Sequence, residues 1–327
     1  MNYLLKYIKH NRWYLVLSFV LTFVALPVSL WLKIDSLKNR TIRMPLENDL
    51  HGEDIISVLI RHHVNQNTVF LFSVILLAIA SAYVGFSYLH SQQPNNRNWQ
   101  NTVSKSTVYY VTLVGNLIVY AVPILVNILL SMVVAAGYGY FAPRLLGSYV
   151  LIALTYSLYY LLVYHLVAIA ILLTGTFAMS VLYFLILCYM EYYVSLTSFY
   201  RFIQENHLQG TLIISTIIVM LGFATYFLLL KRPDQLEGKA FAFPFAQKVS
   251  KYVLVIFLSI YVGTIVAVLL GVVSVTMTML VIAVSCIVWN LILDIGFHMT
   301  WKEAVENWKE ILYTMVLSLL IALILGR

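Results

Sequence analysis

The longest apolar stretch of this sequence, residues 252–297, runs for about 45 residues. One helix needs only about 20 apolar residues to cross the hydrocarbon core of a bilayer, so this stretch predicts two spans, divided near residues 271–274. Backbone groups inside lipid must be paired internally, which leaves helices or a closed barrel, and continuous rather than alternating apolar runs favour helices. The predicted fold class is all-α, a polytopic integral membrane helical bundle.

The composition also indicates a chain that crosses the membrane many times. Of 327 residues, 62% are hydrophobic and only 10% are charged, whereas a soluble domain is about 25% charged. We expect about nine transmembrane helices (eight to ten) in a single transmembrane domain, residues 1–327. The predicted spans are 13–32, 69–89, 108–136, 145–173, 177–196, 211–230, the two halves of 252–297, and 311–325.

Basic residues predict the orientation. Lys6, Lys9 and Arg12 precede the first apolar run, which is too long for a signal peptide and is expected to be a retained span. With the N-terminus inside, most Lys and Arg residues outside the long loop 33–67 fall in inner segments, and acidic residues offset those of that loop. This distribution predicts a cytoplasmic N-terminus, and cytoplasmic Lys and Arg residues account for the net charge of +7 without a nucleic-acid partner.

Several segments outside the spans have predicted places. Where apolar and basic residues occur side by side, the segment is expected to lie at the lipid headgroups. The predicted segments are an amphipathic cytoplasmic elbow at 1–12, an extracellular loop at 33–67, a cytoplasmic segment at 90–107, a cytoplasmic basic loop at 231–251, and a cytoplasmic amphipathic segment at 297–310.

The sequence lacks the common motifs for nucleotide binding and hydrolysis. It contains no G-x-x-x-x-G-K-[ST], no G-x-G-x-x-G after a strand, no H-E-x-x-H and no G-x-S-x-G. Cys188 and Cys286 lie inside apolar runs without metal-ligand spacing and are expected to be packing residues. We therefore predict no catalytic residue, no metal, no cofactor in this chain and no enzymatic activity. Energy would come from another subunit or from an ion gradient.

A polar face near the end of the eighth span is the clearest candidate site within the membrane. Asn290, Asp294 and His298 are spaced i, i+4, i+8 and share one side of a helix. These residues form either an interfacial stripe that water reaches from the cytoplasmic side, paired with a basic loop residue, or a relay for protons or substrate.

Other polar residues also lie in predicted spans. Glu191 is expected to reach the outer interface near Arg201, or to contact a substrate in an outward-facing vestibule. His165 is either a helix-to-helix hydrogen bonder or a relay residue, and Asn116 and Asn127 are expected to bond between helices.

The segment between the second and third spans carries a distinct pattern. Pro94 and the asparagines after it stop the incoming helix. Trp99 and Val103 then fall at i, i+4 and form a short amphipathic turn between Arg97 and Lys105. Such a turn lies on the membrane or docks into a groove of a partner. A plain connecting loop is the alternative.

This layout resembles permease subunits of type-2 ABC exporters. Their coupling segment often reads Leu-His-Ser-Leu-Pro-x-x-Arg with a Ser-Lys pair further on, although Gln92 and Gln93 stand here where a Leu is usual. The loop 231–243 resembles the Arg-x-x-Glu-x-x-x-x-x-x-Phe loop of larger Gram-positive permeases, and the overall pattern is similar to the Ytr-type permeases linked to acetoin utilisation. The matching positions are Leu89, His90, Ser91, Pro94, Arg97, Ser104 and Lys105.

The resemblance implies the partners and the location. It implies a multi-pass permease in a bacterial plasma membrane, paired with a second permease as a homo- or heterodimer. Separate ABC ATPase subunits would bind ATP and dock on the coupling segment. The docking residues it implies are Pro94, Arg97, Trp99, Val103 and Lys105.

Two other classes remain open from the residues alone. An ion-coupled secondary transporter needs an ion site near the bilayer midplane, commonly within an inverted repeat, and the sequence shows neither a clear repeat nor a carboxylate deep in a span. An integral membrane enzyme acting on a lipid-linked substrate needs clustered acids or histidines at one membrane face. The face of Asn290, Asp294 and His298 is its only candidate.

Overall fold

A computed structural model of the chain describes residues 2–41, 52–65, 67–90, 103–140, 143–184, 207–233, 241–271, 274–298 and 308–325. Nearly all residues in these ranges are helical, and an isolated antiparallel bridge joins Thr174 to Phe241. Among the described residues, seven helical stretches are long and apolar enough to cross a membrane. The all-α, multi-pass fold class is confirmed.

The helices are numbered here in chain order. A π-helical turn, Val24–Val28, joins the second helix to the third, and residues 177–184 are helical as well. The helices are α1 Asn2–His10, α2 Arg12–Phe23, α3 Ser29–Thr41, α4 Gly52–Asn65, α5 Thr68–Phe86, α6 Lys105–Gly137, α7 Pro143–Leu173, α8 His207–Lys231, α9 Pro244–Leu269, α10 Val275–His298 and α11 Trp308–Leu325.

Seven of the nine predicted spans coincide with stretches that satisfy the length and hydropathy of a membrane span. The predicted ninth span corresponds to α11, an apolar helix of 18 residues that is not among the seven. The predicted fifth span, 177–196, continues beyond the described residues after position 184. The seven stretches are Arg12–Leu37, Val58–Phe86, Lys105–Gly137, Leu145–Leu173, Gln209–Lys231, Pro244–Leu269 and Val275–Ile295.

The division of the long apolar stretch is confirmed. The helix α9 ends at Leu269 and α10 begins at Val275. Gly271 between them has a φ of 68°, a left-handed conformation that glycine adopts without the steric cost of a side chain. The two helices then approach closely, since a Cβ added at Gly263 would lie 2.9 Å from the Cα atom of Ile282.

Two segments that were predicted as loops contain helical residues. Within 33–67, helix α3 continues to Thr41 and α4 forms over Gly52–Asn65. Within 231–251, helix α9 already begins at Pro244, and a proline suits the first turn of a helix because its missing N–H would be unpaired there anyway. Hydropathy predicts only where an apolar run ends. A helix can continue past that point, because many polar residues are compatible with helical backbone.

The chain was expected to be one domain, but its contacts divide it into two compact units. The first unit comprises the described parts of Met1–Leu172 and Leu187–Arg232. The second unit comprises the described parts of Leu173–Ile186 and Pro233–Arg327.

In the first unit, the N-terminal helix α1 inserts a tyrosine among the spans. The predicted elbow is helical, and Tyr7 is only 3% exposed. The Tyr7 hydroxyl donates to Oδ1 of Asn116 over 2.8 Å. Its ring fills the space beside Gly115, where an added Cβ would lie 2.5 Å from Tyr7 Cδ1. The elbow is therefore packed into the unit through a residue that its predicted amphipathic pattern did not single out.

Buried asparagines link the helices of the first unit, as the sequence predicts. Asn116 Nδ2 on α6 donates to the carbonyl oxygen of Ser81 on α5 over 3.0 Å. Asn127 Nδ2 donates to Thr22 Oγ1 on α2 over 2.7 Å. A polar group in lipid is stabilised when a neighbouring helix supplies its hydrogen-bond partner.

Candidate functional site

Part of the predicted coupling segment falls in the described structure. Val103 and Lys105 are described and half-buried. Pro94, Arg97 and Trp99 lie outside the described residues. Helix α6 begins at Lys105 because Ser104 caps it, and the Ser104 hydroxyl accepts from the backbone N–H of Thr107 over 3.3 Å.

Lys105 is held by the end of another helix of the first unit. Its ammonium donates to the carbonyl oxygen of Arg232, directly after α8, over 2.6 Å. A cation is favourable at a helix C-terminus, where unpaired carbonyl groups give the helix a partial negative charge. Lys105 was predicted to face a partner, and here its ammonium also fixes the start of α6 to the end of α8.

Arg232 in turn holds the end of α7. Its side chain is buried, and Nη1 donates to the carbonyl oxygens of Ile171 and Leu172 over 2.7 and 2.5 Å. Burial lowers the pKa of Arg232 to about 10, so its guanidinium stays charged at neutral pH. Sequence reasoning placed Arg232 in a basic loop and missed this role, although an arginine just after a span is well placed to bind carbonyl groups at a helix end.

The other flank of the segment meets the same helix end. His90 Nε2 lies 3.1 Å from the carbonyl oxygen of Ile171. A carbonyl can only accept, so Nε2 carries the proton in this contact. The two residues that border the predicted coupling segment, His90 and Lys105, are thus tied to the adjacent ends of α7 and α8 within one unit. We call His90, Lys105, Ile171, Leu172 and Arg232 the flank cluster.

His165 lies within the same unit, on the same helix as Ile171. It is buried, and its Nδ1 lies 3.2 Å from Thr225 Oγ1, so it joins α7 to α8. This contact is of the helix-to-helix kind. Glu191, the other isolated polar candidate, lies outside the described residues.

The second unit contains a buried group of three charged side chains. Lys251 on α9 places its ammonium 2.6 Å from Asp294 Oδ1 on α10 and 2.8 Å from Glu310 Oε2 on α11. The side chains of Lys251 and Asp294 are 4% and 0% exposed, and that of Glu310 is 23% exposed. We call these three residues the ion triad. It ties one end of three helices together.

The predicted polar face of α10 contributes to this triad, with a correction. Asn290 and Asp294 are both fully buried, so they do not form a stripe hydrated from the inside. The basic partner of Asp294 is Lys251, which lies on α9 because that helix starts earlier than predicted. The side chain of His298 is outside the described part. Sequence reasoning found Asp294 and missed its partners, although a carboxylate in an apolar run requires a cation nearby.

Neutral polar groups extend the triad along the same helices. Asn290 Nδ2 donates to Thr314 Oγ1 on α11 over 2.8 Å and to the carbonyl oxygen of Cys286 over 3.0 Å. Asp294 Oδ2 and Asn290 Oδ1 are buried without a hydrogen-bond partner among the described residues. The described residues hold no group of three or more His, Cys, Asp or Glu side chains arranged to bind a metal ion.

Comparisons with known proteins give no match: no family model, no curated protein and no solved structure is similar to this chain. Any function proposed for it must therefore come from its own residues and their contacts.

Proposed function

We propose that this chain is the transmembrane permease subunit of a bacterial ABC exporter, driven by separate ATPase subunits that dock on residues 90–107. The observation that supports this proposal most strongly is the flank cluster. A plain connecting loop does not require polar anchors at both ends. A segment that transmits force needs both ends fixed to the helices that must move, and His90 and Lys105 are fixed in this way.

The contacts suggest how such force would pass into the membrane. Helix α6 begins at Lys105 and continues for 33 residues, so displacement of its first turn would move a rigid element long enough to cross the bilayer. Lys105 would pull on the end of α8 through the Arg232 carbonyl group, and the Arg232 guanidinium would pull on the end of α7. Movement of one segment would therefore shift several helix ends together.

The docking contact itself would combine apolar packing with charge. Trp99 and Val103 lie one helical turn apart in the sequence and would enter a groove of the ATPase. Arg97 would meet an acidic rim of that groove. Lys105 serves in this proposal as an anchor within the permease, rather than as a free charge for the partner.

The resemblance and the charge distribution complete the proposal. The N-terminus and the flank cluster would lie on the cytoplasmic side of a bacterial plasma membrane. A second permease would complete the transport pathway. Of the apolar windows in Gln209–Lys231 and Val275–Ile295, only 17% of residues are buried within this chain, which leaves broad faces for lipid or for a second permease to cover.

A double substitution tests the docking assignment. Trp99→Asp with Val103→Asp should abolish co-purification of an ATPase, because two buried carboxylates without partners would disfavour the apolar contact. Insertion of the chain into the membrane should be unchanged. Trp308→Asp, at an exposed tryptophan at the start of α11, is the matched control and should retain the ATPase. Normal co-purification and normal ATP hydrolysis with the double variant would show that the docking assignment is wrong.

The position of the ion triad argues against one other class, an ion-coupled secondary transporter. Such a transporter binds its coupling ion near the middle of the membrane, commonly at broken helices. Lys251 lies near the beginning of α9, Asp294 near the end of α10 and Glu310 at the beginning of α11. The triad is thus near helix ends, whereas the ion site of such a transporter is expected near the middle of the membrane.

A further inference from the structure

The first membrane stretch of the chain changes its helical form in the middle. Residues Val24–Val28 form a π-helical turn with Pro27 inside it, and a proline within a helix removes one backbone donor. The backbone N–H of Ser29 bonds to the carbonyl oxygen of Val24, five residues earlier. In a regular α-helix it would bond to that of Ala25. The π-turn therefore leaves the carbonyl group of Ala25 for another partner.

The second membrane stretch is interrupted at the residue that supplies this partner. Helix α4 ends at Asn65, and α5 begins at Thr68. Asn67 between them is only 4% exposed, and its Nδ2 donates to the carbonyl oxygen of Ala25 over 2.7 Å. Its Oδ1 accepts from the backbone N–H of Phe70 over 2.9 Å and so caps α5. The two interruptions are thus adjacent and share one side chain.

The helices that follow and precede these interruptions, α3 and α4, hold to each other. Helix α4 packs against α3, and the Ser29 hydroxyl lies 2.9 Å from Nε2 of His63. Each helix also buries a row of apolar side chains that recur at about one helical turn. Contacts of this kind keep a helix pair together while it moves. The buried residues are Leu30, Ile34 and Leu37 on α3 and Ile60 and Val64 on α4.

The α3–α4 pair also touches the end of α6. Trp31 Nε1 on α3 donates to the hydroxyl of Tyr138 over 2.9 Å, and Tyr138 caps the end of α6. This contact is exposed, so water can take the place of either partner and opening leaves no buried polar group unsatisfied. Helix α6 has 33 residues and is about 50 Å long, so the contact lies at the opposite end of α6 from Lys105.

We propose that the α3–α4 pair is a gate that tilts as one body on the adjacent hinges at Val24–Val28 and Asn67, and that the contact between Trp31 and Tyr138 holds it closed. Hinges are a few residues within or between helices that absorb changes of the backbone angles. Asn67 keeps the two hinges together during the movement. In the open form, water hydrates Trp31 and the end of α6 is uncovered.

The gate does not depend on the proposed ATPase docking, because its hinges and its closing contact are formed by other residues of the first unit. Within the proposed function, the gate and the flank cluster lie at opposite ends of α6, so the gate would control release of solute on the outer side. The experiments that follow use no ATPase and no solute. Failure of the gate is therefore distinguishable from failure of the docking assignment.

Distances between spin labels measure the tilt by pulsed electron–electron double resonance on the full-length chain in lipid vesicles. Both native cysteines are first replaced, as Cys188→Ala and Cys286→Ala. One label is placed on α3 (Ser36→Cys) or on α4 (Arg61→Cys), and each is paired with a label on α6 (Leu125→Cys). All three labelled positions are exposed. With the closing contact intact, the closed distance should dominate in both pairs.

Removal of the closing contact should open the gate. Trp31→Ala should increase a second, longer distance in both label pairs by roughly fivefold or more, because a hydrogen bond and its ring contact are lost. Tyr138→Phe removes only the hydroxyl and should give the same longer distance in a smaller fraction. Trp13→Ala, at an exposed tryptophan at the start of α2, is the matched control and should keep the closed distances. The proposal is overturned if Trp31→Ala keeps them too, or if only one of the two pairs lengthens.

A second variant tests the shared hinge residue. Asn67→Ser keeps a side-chain oxygen that can cap α5 but lacks the amide that binds Ala25. The distance distributions of both label pairs should broaden, because the two hinges are no longer tied together. Asn127→Ala removes the hydrogen bond to Thr22, on the other side of the π-turn, and should leave the widths unchanged. Equal widths in Asn67→Ser and the wild type would overturn the proposed pair of linked hinges.

Discussion

The two units hold their buried polar groups in different ways. The first unit uses mostly neutral side chains, such as Tyr7 with Asn116 and Asn127 with Thr22. The second unit joins three helices through the ionic contacts of Lys251. Neutral hydrogen bonds between membrane helices are individually weak and do not respond to pH near neutrality. A buried ion pair depends on every partner, because removal of one leaves an uncompensated charge.

The flank cluster is the exception within the first unit. Arg232 is a buried cation, but it binds backbone carbonyl groups rather than carboxylates. The two units therefore differ in the groups that balance a buried cation: backbone carbonyl groups for Arg232 in the first unit and carboxylates for Lys251 in the second. Helix ends supply only partial charges, whereas the ion triad supplies full ones.

The largest effect should follow removal of the shared ammonium. Lys251→Met leaves Asp294 and Glu310 without their common cation, and the free energy of unfolding should fall by about 3–5 kcal/mol. Chemical unfolding in mild detergent measures this change. Lys248→Met removes an exposed amine from the same helix and should change the free energy by less than about 1 kcal/mol. If the two variants lower the free energy of unfolding equally, the buried cation stabilises the protein no more than the exposed one, which would contradict this prediction.

Loss of Arg232 should have the next largest effect. Arg232→Met keeps much of the apolar stem but leaves the carbonyl groups of Ile171 and Leu172 without their charged donor, which should cost about 1.5–3 kcal/mol. If the flank cluster also transmits force, the variant should still bind the ATPase but hydrolyse ATP without transport. Lys231→Met, at the neighbouring exposed lysine, is the control. If Arg232→Met changes neither the stability nor the coupling of ATP hydrolysis to transport, the flank cluster does not have the proposed role.

Overpacking beside Tyr7 should destabilise the first unit by as much as the loss of Arg232, or by less. Gly115→Ala places a methyl group 2.5 Å from the Tyr7 ring, and the displacement should cost about 1–3 kcal/mol. Gly147→Ala on α7 meets nothing within 4 Å and should stabilise its helix by up to about 1 kcal/mol. Thermal unfolding of both variants measures the difference, and a harmless Gly115→Ala would show that α1 does not pack there.

The smallest effect should come from a neutral contact. Asn127→Ala removes the hydrogen bond to Thr22, and such contacts in membranes average about 0.6 kcal/mol. The change should be the same at pH 5 and pH 8, because neither side chain titrates in that range. A clear dependence on pH would contradict the neutral description of the first unit.

The sequence allowed most of the spans to be predicted, since an apolar run of sufficient length requires a helix in lipid. It did not allow the helices within 33–67 to be predicted, because their polar residues lie outside any hydrophobic run. Asp294 stood out as a charge in an apolar stretch, but its partners come from two other helices. Nothing in the spacing of Lys251, Asp294 and Glu310 along the chain shows that they meet.

The flank cluster shows a similar limit. His90 and Lys105 were singled out by their positions beside Pro94, Arg97 and the turn around Trp99. Arg232 was not, because its contact with the carbonyl groups of α7 depends on how α7 and α8 end in space. Backbone carbonyl groups carry no sequence signal, so partners of this kind are visible only in a structure.

The most direct test of the central proposal is purification of the chain from its native membranes in mild detergent, with ATP hydrolysis measured across the elution profile. We expect hydrolysis to co-elute with the chain, together with a separate subunit that carries a P-loop, and both to be lost when Trp99 and Val103 are replaced by Asp. Recovery of the chain by itself, without hydrolysis and with transport still present after reconstitution into vesicles, would contradict the proposal that it depends on an ATPase partner.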